Sequence, residues 1–435
     1  MDLSIQNSWW NLGGLWQDLD LKKAKTAKID YNPKPILAKE LSGDALFTLR
    51  GPRRSGKTVS LKLLIAELID LHNVDPSSIV WMTLDTTRNA NIMENQICEL
   101  TAKYSPKYLF LDEVTSVPHW QKVIKKLRDT GTLANCNIVL TGSSAFDLKQ
   151  GSERMAGRKG GAIQSDRVLL PMSYSEFRKS TSGSVEEYLQ VGGFPFRVAQ
   201  FKDDLKNHKK FDVLFGSEVF DDVFFYEVTR RKLDRNIALE VIFRLSQVKS
   251  SAISFEAFSK PLNMTKDTAK KYIGILGDAF LLSTFFSYDT GKNRVALKKD
   301  KKLHWVDPSL AYLGYSTKQA EVPEASTIVE SVVGTELLRR HEYRLFEGVS
   351  SPRNVFTWKS NAGNEIDFLV IDRSQKLIMP IEVKYQNQIQ TSDFMSMEKA
   401  FHKGILVTKS YVQTRPLSKA VSLEDFLLLN ENQSS

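Results

Sequence analysis

Cysteine is nearly absent: the 435 residues include two, Cys98 and Cys136. Neither lies in a CxxC pair or at metal-ligand spacing from a histidine, which excludes a zinc framework and a disulfide scaffold. Two small buried thiols in a reducing compartment are expected instead. Long hydrophobic runs are missing too, none approaching the roughly 18 to 20 residues that a membrane span needs. The stretch from Met1 to Trp16 mixes Asp, Gln and Asn with tryptophans where a signal peptide would be apolar. The expectation is a cytoplasmic protein with no membrane partner. Tandem repeats are lacking, and the only low-complexity tract is the polar tail Asn430 to Ser435.

What is present suffices for several cores. Hydrophobic residues make up 42% and charged residues 26% of the chain, and such a length predicts about two to three domains. A net charge of +9 favours polyanionic partners such as DNA.

From Asp44 to about Leu170, short apolar runs alternate with longer helical patterns, the signature of a parallel sheet covered by helices. Predicted strands are Ala45 to Leu49, Ile79 to Leu84, Tyr108 to Leu111, Asn137 to Thr141 and Arg167 to Leu170. Directly after the first strand stands Gly51-Pro52-Arg53-Arg54-Ser55-Gly56-Lys57-Thr58, which fits GxxxxGK[ST] and precedes a helical pattern. The glycines let backbone N–H groups and the helix N-terminus face phosphates. Lys57 is the residue to bridge the β and γ phosphates of ATP, and the Thr58 hydroxyl the one to ligate Mg2+.

The apolar strand Leu109-Phe-Leu-Asp-Glu-Val114 ends in two acids at the sheet edge where ligands bind. Asp112 is expected in the Mg2+ shell and Glu113 as the group that polarises the attacking water. The next strand ends in Thr141-Gly-Ser-Ser144, where Ser143 is a candidate γ-phosphate sensor, although Thr-Gly-Ser is also an ordinary turn. Arg154 and Arg158 follow. Either could meet charge developing on a γ-phosphate, and two solvated arginines are the plain alternative.

These motifs, with Met155-Ala-Gly-Arg158, Leu170-Pro-Met-Ser-Tyr-Ser-Glu-Phe177 and Gly192-Gly-Phe-Pro195, resemble the large prokaryotic family of AAA-type P-loop ATPases joined to a C-terminal domain of unknown function. The resemblance covers nearly the whole chain. It implies an ASCE-type sheet in which the strand bearing Thr141 lies between those bearing the P-loop and Asp112, and it implies ATP hydrolysis.

Farther along, residues 183–235 read as a helical connector broken by Gly192-Gly-Phe-Pro195, and residues 236–320 as helices followed by a hairpin, the order of a winged helix. Lys292, Arg294, Lys298, Lys299, Lys301 and Lys302 crowd that hairpin, next to a helix carrying Lys266, Lys270 and Lys271. Such a helix and wing could contact DNA phosphates, and a solvated lysine-rich turn is the alternative.

Residues 321–435 read as a mixed α/β domain. Asp367 and Glu382 sit a hairpin apart, and strand periodicity puts Glu382 and Lys384 on one face. This resembles the PD-(D/E)XK nuclease pattern, in which two acids bind a divalent metal and the lysine positions water. Glu330 matches the acid on that fold's first helix. Ile366 stands where the motif's name has proline. A second Mg2+ or Mn2+ is implied there.

The expected organisation is thus an N-terminal aromatic segment, 1–43, a P-loop ATPase domain, 44–182, the connector, the winged helix and the nuclease-like domain. Trp9, Trp10 and Trp16 are expected to pack on the ATPase core and His119 to be structural. Two functional readings follow. One is an ATPase that controls DNA processing, and the other a nucleotide-controlled binding or signalling switch that cuts nothing. An oligomer or a protein partner is compatible with both.

Overall fold

The computed structural model describes residues 3–27, 29–142, 144–155, 157–162, 164–248, 250–316, 321–343, 354–360, 362–372 and 377–429. Two compact units divide the chain, unit one up to Leu170 and unit two from Pro171 onward.

Unit one runs α1 (Leu19–Thr26), β1 (Leu46–Arg50), α2 (Lys57–Asp70), β2 (Ile79–Thr83), α3 (Ala90–Tyr104), β3 (Tyr108–Asp112), α4 (Trp120–Asp129), β4 (Asn137–Thr141), α5 (Ala145–Arg154) and β5 (Asp166–Val168). The five strands form one parallel sheet in the order β2-β3-β4-β1-β5. Thr141 on β4 therefore stands between the strand that feeds the P-loop and the strand that ends at Asp112, as the family resemblance implies.

Period-two alternation assigns the apolar residues to opposite faces. Leu46, Val80, Met82, Leu109, Leu111, Ile138 and Leu140 share a core with Met93, Ile97 and Leu100 of α3 and with Trp120, Val123, Ile124 and Leu127 of α4. Phe47, Leu49, Ile79, Trp81, Phe110 and Val139 meet Leu61, Leu64, Ile65 and Leu68 of α2 on the other face. Each helix supplies these contacts at three- and four-residue spacing, which is why the same chain stretches form helices and sit on the sheet.

Of the three early tryptophans, Trp9 and Trp10 both donate their indole N–H to the Ile79 carbonyl, at 3.2 and 2.9 Å. Trp16 does not join them, and is 37% exposed. His119 has a left-handed backbone and precedes the first turn of α4.

Cys136, which leads into β4, is buried, and burial pushes its thiol up to about 12. The thiolate is the reactive form, so at pH 9 only about one molecule in a thousand would carry it. Iodoacetamide at pH 9 should therefore modify Cys136 only after denaturation, as peptide mapping would read out. Rapid labelling of the folded chain at Cys136 would show that this core opens.

Unit two runs α6 (Tyr174–Thr181), α7 (Val185–Val191), α8 (Pro195–Lys206), α9 (Ser217–Arg230), α10 (Arg235–Val248), α11 (Phe255–Ser259), α12 (Lys266–Asp278), β6 (Leu282–Phe286), β7 (Tyr288–Asp289), β8 (Arg294–Val295), β9 (Lys301–Trp305) and α13 (Leu313–Ser316). It continues with α14 (Ala325–His341), β10 (Val355–Lys359), β11 (Glu365–Asp372), β12 (Leu377–Lys384), α15 (Ser392–Phe401), β13 (Ile405–Thr408), β14 (Gln413–Thr414), β15 (Lys419–Ser422) and α16 (Leu423–Leu428). A six-stranded mixed sheet has the order β10-β11-β12-β13-β15-β14, antiparallel through β10, β11 and β12 and parallel through β12, β13 and β15.

Outside that sheet, β6 pairs with β9 and β7 with β8. The β6–β9 pair packs inward: the rings of Phe285 and His304 lie 5.1 and 5.5 Å from that of Phe368 on β11. Gly334 makes this closeness workable, because a Cβ there would stand 2.9 Å from Phe368 and 3.0 Å from Phe285. Through that gap α14 approaches β11, and the side chain one turn earlier, Glu330, meets the same Lys302 ammonium as Asp367.

The Gly192-Gly193 pair also has a packing reason. Gly192 has φ +75°, and a Cβ there would fall 2.1 Å from Asp307 Oδ1. The Gly193 N–H donates to Asp307 Oδ2 at 2.7 Å. A turn was legible at these residues, whereas the buried carboxylate it wraps was not.

Candidate functional site

The P-loop joins β1 to α2. Gly51 and Gly56 have φ of +148° and +96°, and Arg54 has φ +64°, the left-handed backbone with which a glycine-rich loop can wrap a phosphate. Gly51 admits no side chain, since a Cβ would lie 2.1 Å from the Leu169 carbonyl oxygen.

Lys57 opens α2 and points back into the loop, where its Nζ donates to the carbonyls of Gly51 at 3.0 Å and Pro52 at 2.8 Å. Burial pushes its ammonium down to about 8, against the opposing charges of Glu113 and Asp112. Thr58 Oγ1 donates to Asp112 Oδ2 at 3.1 Å, and the Glu113 N–H donates to Asp112 Oδ1 at 3.0 Å. Asp112 is pushed up to about 6, first by burial and then by the charge of Glu113.

Pro52, Arg53 and Ser55 complete the loop. The Ser55 hydroxyl is buried without a hydrogen-bond partner, an unspent polar atom inside a would-be phosphate cradle. Together with the hydroxyl–carboxylate pair of Thr58 and Asp112, this donor set fits a triphosphate with a hard divalent cation.

Glu113 takes a left-handed backbone with φ +54°, which turns the chain immediately after β3. Asp85, after β2, is pushed up by burial and by the Glu113 charge, so a third carboxylate faces this edge. No motif marked it in the sequence. Arg158 is held elsewhere, its Nε 2.8 Å from Asp129 Oδ1 at the end of α4. Ser143 lies outside the described residues.

Unit two contains the second cluster of sequence-marked acids, and here one expectation needs correction. Lys301 and Lys302 do not belong to an exposed wing. Both are buried, on opposite faces of β9. Lys301 Nζ lies 4.1 Å from the Phe255 ring centroid. Lys302 Nζ sits between Glu330 Oε1, at 2.6 Å, and Asp367 Oδ1, at 2.5 Å. A run of lysines reads as solvated because sequence does not reveal which pass under a neighbouring helix. Lys292, Arg294, Lys298 and Lys299 are exposed, as are Lys266, Lys270 and Lys271 on α12.

Around that ammonium the cluster is tightly joined. Asp367 Oδ2 accepts from the Val383 N–H at 2.8 Å, and Glu382 Oε2 from the Asp367 N–H at 3.3 Å. Lys384 Nζ stands 3.4 Å from Glu382 Oε1 and is 40% exposed. Burial alone would lower the Lys302 ammonium, but Asp367 and Glu330 outweigh it and hold it above its ordinary range. Glu330 and Glu382 are both pushed up, by burial first and by the Asp367 charge second. Lys302 thus holds Glu330 and Asp367, and Lys384 stands beside Glu382. In this arrangement the acids do not fit a divalent metal, because the oxygens it would need already hold Lys302.

Fold and loop geometry together define unit one as an α/β domain of the P-loop class. Comparison with known sequences agrees: residues 44–178 match the family described as AAA domain, so the chain carries an AAA-type P-loop ATPase domain. Residues 182–319 and 325–426 match two further families, each described as a domain of unknown function (DUF8612 and DUF4143).

An uncharacterized protein of Haemophilus influenzae is 26% identical over 432 residues, covering 94% of this chain and all of its own. The uncharacterized protein MJ1544 of Methanocaldococcus jannaschii is 26% identical over 389 residues, covering 82% of this chain and 78% of its own. Among solved structures, a Walker-type ATPase of Pyrococcus abyssi aligns with a TM-score of 0.44 at 12% identity, covering 66% of this chain and 96% of its own. No helix among the described residues is long and apolar enough to cross a membrane.

Proposed function

We propose that the chain is a Mg2+-dependent ATP hydrolase whose nucleotide state controls a DNA-contacting second unit. The observation that carries the first half is the buried Lys57 ammonium, whose loop carbonyls and nearby carboxylates are the groups a nucleotide phosphate and its cation would exchange with. In this reading Lys57 leaves the carbonyls of Gly51 and Pro52 for phosphate oxygens. Thr58 and Asp112 would hold Mg2+, whose charge would offset that of the phosphates when it is bound. Glu113 orients the attacking water, with its carboxylate placed by the turn after β3. Ser143 is the proposed γ-phosphate sensor. Arg158 is the proposed arginine finger, which would have to leave Asp129 to reach a phosphate in its own or a neighbouring copy.

For the second unit, the order of α10, α11 and α12 followed by β6 to β9 supports a winged-helix reading. The sheet packed by α14 and carrying Asp367, Glu382 and Lys384 supports a PD-(D/E)XK nuclease-like one. A specific observation favours the reading in which DNA is bound and not cut: Lys302 occupies Glu330 and Asp367, two of the acids that cleavage chemistry would need.

Exposed Lys298 and Lys299 should then contribute salt-dependent DNA affinity. Replacing both with alanine should weaken binding at low salt and make the plot of log K against log salt shallower by about 2, near 0.9 per lost phosphate contact. Fluorescence anisotropy with labelled duplex, run with and without Mg2+·ATP, measures both effects. Absence of DNA binding at low salt in either nucleotide state would remove the second half of the reading and leave the ATPase standing.

A further inference from the structure

We propose that Lys302 is a tethered counter-ion that closes the acid cluster of unit two: its ammonium fills the space between Glu330 and Asp367 and so keeps a divalent cation out. The inference rests on the nuclease-like reading of those acids and adds the device that controls them.

Four observations support it. The lysine is fixed at both ends, its backbone paired with Phe285 in the β6–β9 ladder and its Nζ held by two carboxylates. Two further acceptors are turned to protein donors, Asp367 Oδ2 to the Val383 N–H and Glu382 Oε2 to the Asp367 N–H. A hard divalent ion takes several oxygens at about 2.0 to 2.6 Å, so it would compete for the oxygens Lys302 holds and would face an ammonium within contact distance. The Lys302 side chain is only 5% exposed, so solvent does not compete with the two carboxylates for its ammonium.

The fourth observation points to what the vacated space would accept. His304, two residues along β9 on the same face, is fully buried, and its Nε2 has no hydrogen-bond partner. That nitrogen lies 3.5 Å from Glu330 Oε1. Its Nδ1 faces the hydroxyls of Ser331 at 3.3 Å and Ser250 at 3.5 Å, so the ring is oriented with an unspent nitrogen at the edge of the acids. A cation that accepts both oxygen and imidazole nitrogen, such as Mn2+, suits that edge better than one restricted to oxygen.

The test is a Mn2+ titration of the nucleotide-free full chain, followed by the loss of the free-ion electron paramagnetic resonance signal. Lys302→Met should bind one Mn2+ per chain more than the wild type and should lose it when Asp367→Asn is added. Lys302→Arg, which keeps the cation, should behave as the wild type. If the wild type already binds a Mn2+ that Asp367→Asn removes, the counter-ion role is overturned and the nuclease-like reading survives. If neither the wild type nor folded Lys302→Met binds Mn2+ in an Asp367-dependent way, both fall. Lys302→Met leaves buried acids uncompensated, so its fold is checked by circular dichroism. Should it not fold, Lys302→Gln, which also lacks the charge and keeps every acid, replaces it under the same outcomes.

Discussion

Lys57→Ala is expected to abolish ATP turnover, with a loss of about a thousandfold or more in phosphate release. The ammonium sits within its own loop, bonded to the carbonyls of Gly51 and Pro52, and alanine can offer nothing in its place to a phosphate. The fold should survive, because burial already disfavours that charge and its removal frees two loop carbonyls and takes an opposing charge from Asp112 and Glu113 without opening the sheet core. Glu113→Gln should behave differently. It keeps the backbone N–H that donates to Asp112 and removes the base, so ATP binding should persist while turnover falls by about a hundredfold to ten-thousandfold. Calorimetry with Mg2+·ATP and a phosphate-release assay on the same preparations separate the two. Full turnover by Lys57→Ala would show that hydrolysis, if any, occurs elsewhere in the chain.

The largest stability loss is expected from Arg197→Met in unit two. Arg197 is 1% exposed, and its guanidinium donates to the carbonyls of Val191 at 2.7 Å, Val213 at 3.0 Å, Gln190 at 3.2 Å and Phe215. Burial lowers its guanidinium to about 10, still charged at neutral pH, and the nearby Asp307 carboxylate opposes that shift. Methionine fills much of the volume but satisfies none of the carbonyls and leaves Asp307 without its neighbouring positive charge. Removing one partner from such a buried polar set costs about 3 to 5 kcal/mol. Urea unfolding followed by a probe in unit two should record that drop, while the ATP affinity of the folded protein should change little. A loss below about 0.5 kcal/mol, the range of ordinary surface substitutions, would refute the structural role.

Local pattern made the nucleotide site readable. The P-loop spacing, the apolar strand ending in Asp112 and Glu113, and the strand ending at Thr141 are each written in consecutive residues. The same holds for the strands near Asp367 and Glu382, whose alternation is visible one residue at a time. Asp85 was missed because no spacing links it to Glu113. Asp307 was missed because its partner Gly193 lies 114 positions away in the chain, and Arg197 because no spacing shows that its guanidinium turns inward onto the carbonyls of Gln190, Val191, Val213 and Phe215. The lysine-rich hairpin was misjudged at Lys301 and Lys302 because charge density in sequence reads as solvent exposure.

By itself the sequence determined that a phosphate-binding loop follows a buried strand, because glycines, lysine and hydroxyl act through backbone geometry that is set within eight residues. Only the tertiary structure decided what becomes of the acids in the second unit. Glu330, Asp367 and Lys302 come from a helix and two strands that meet where Gly334 has no side chain, and a charge's chemistry depends on which charges folding brings within a few ångströms of it.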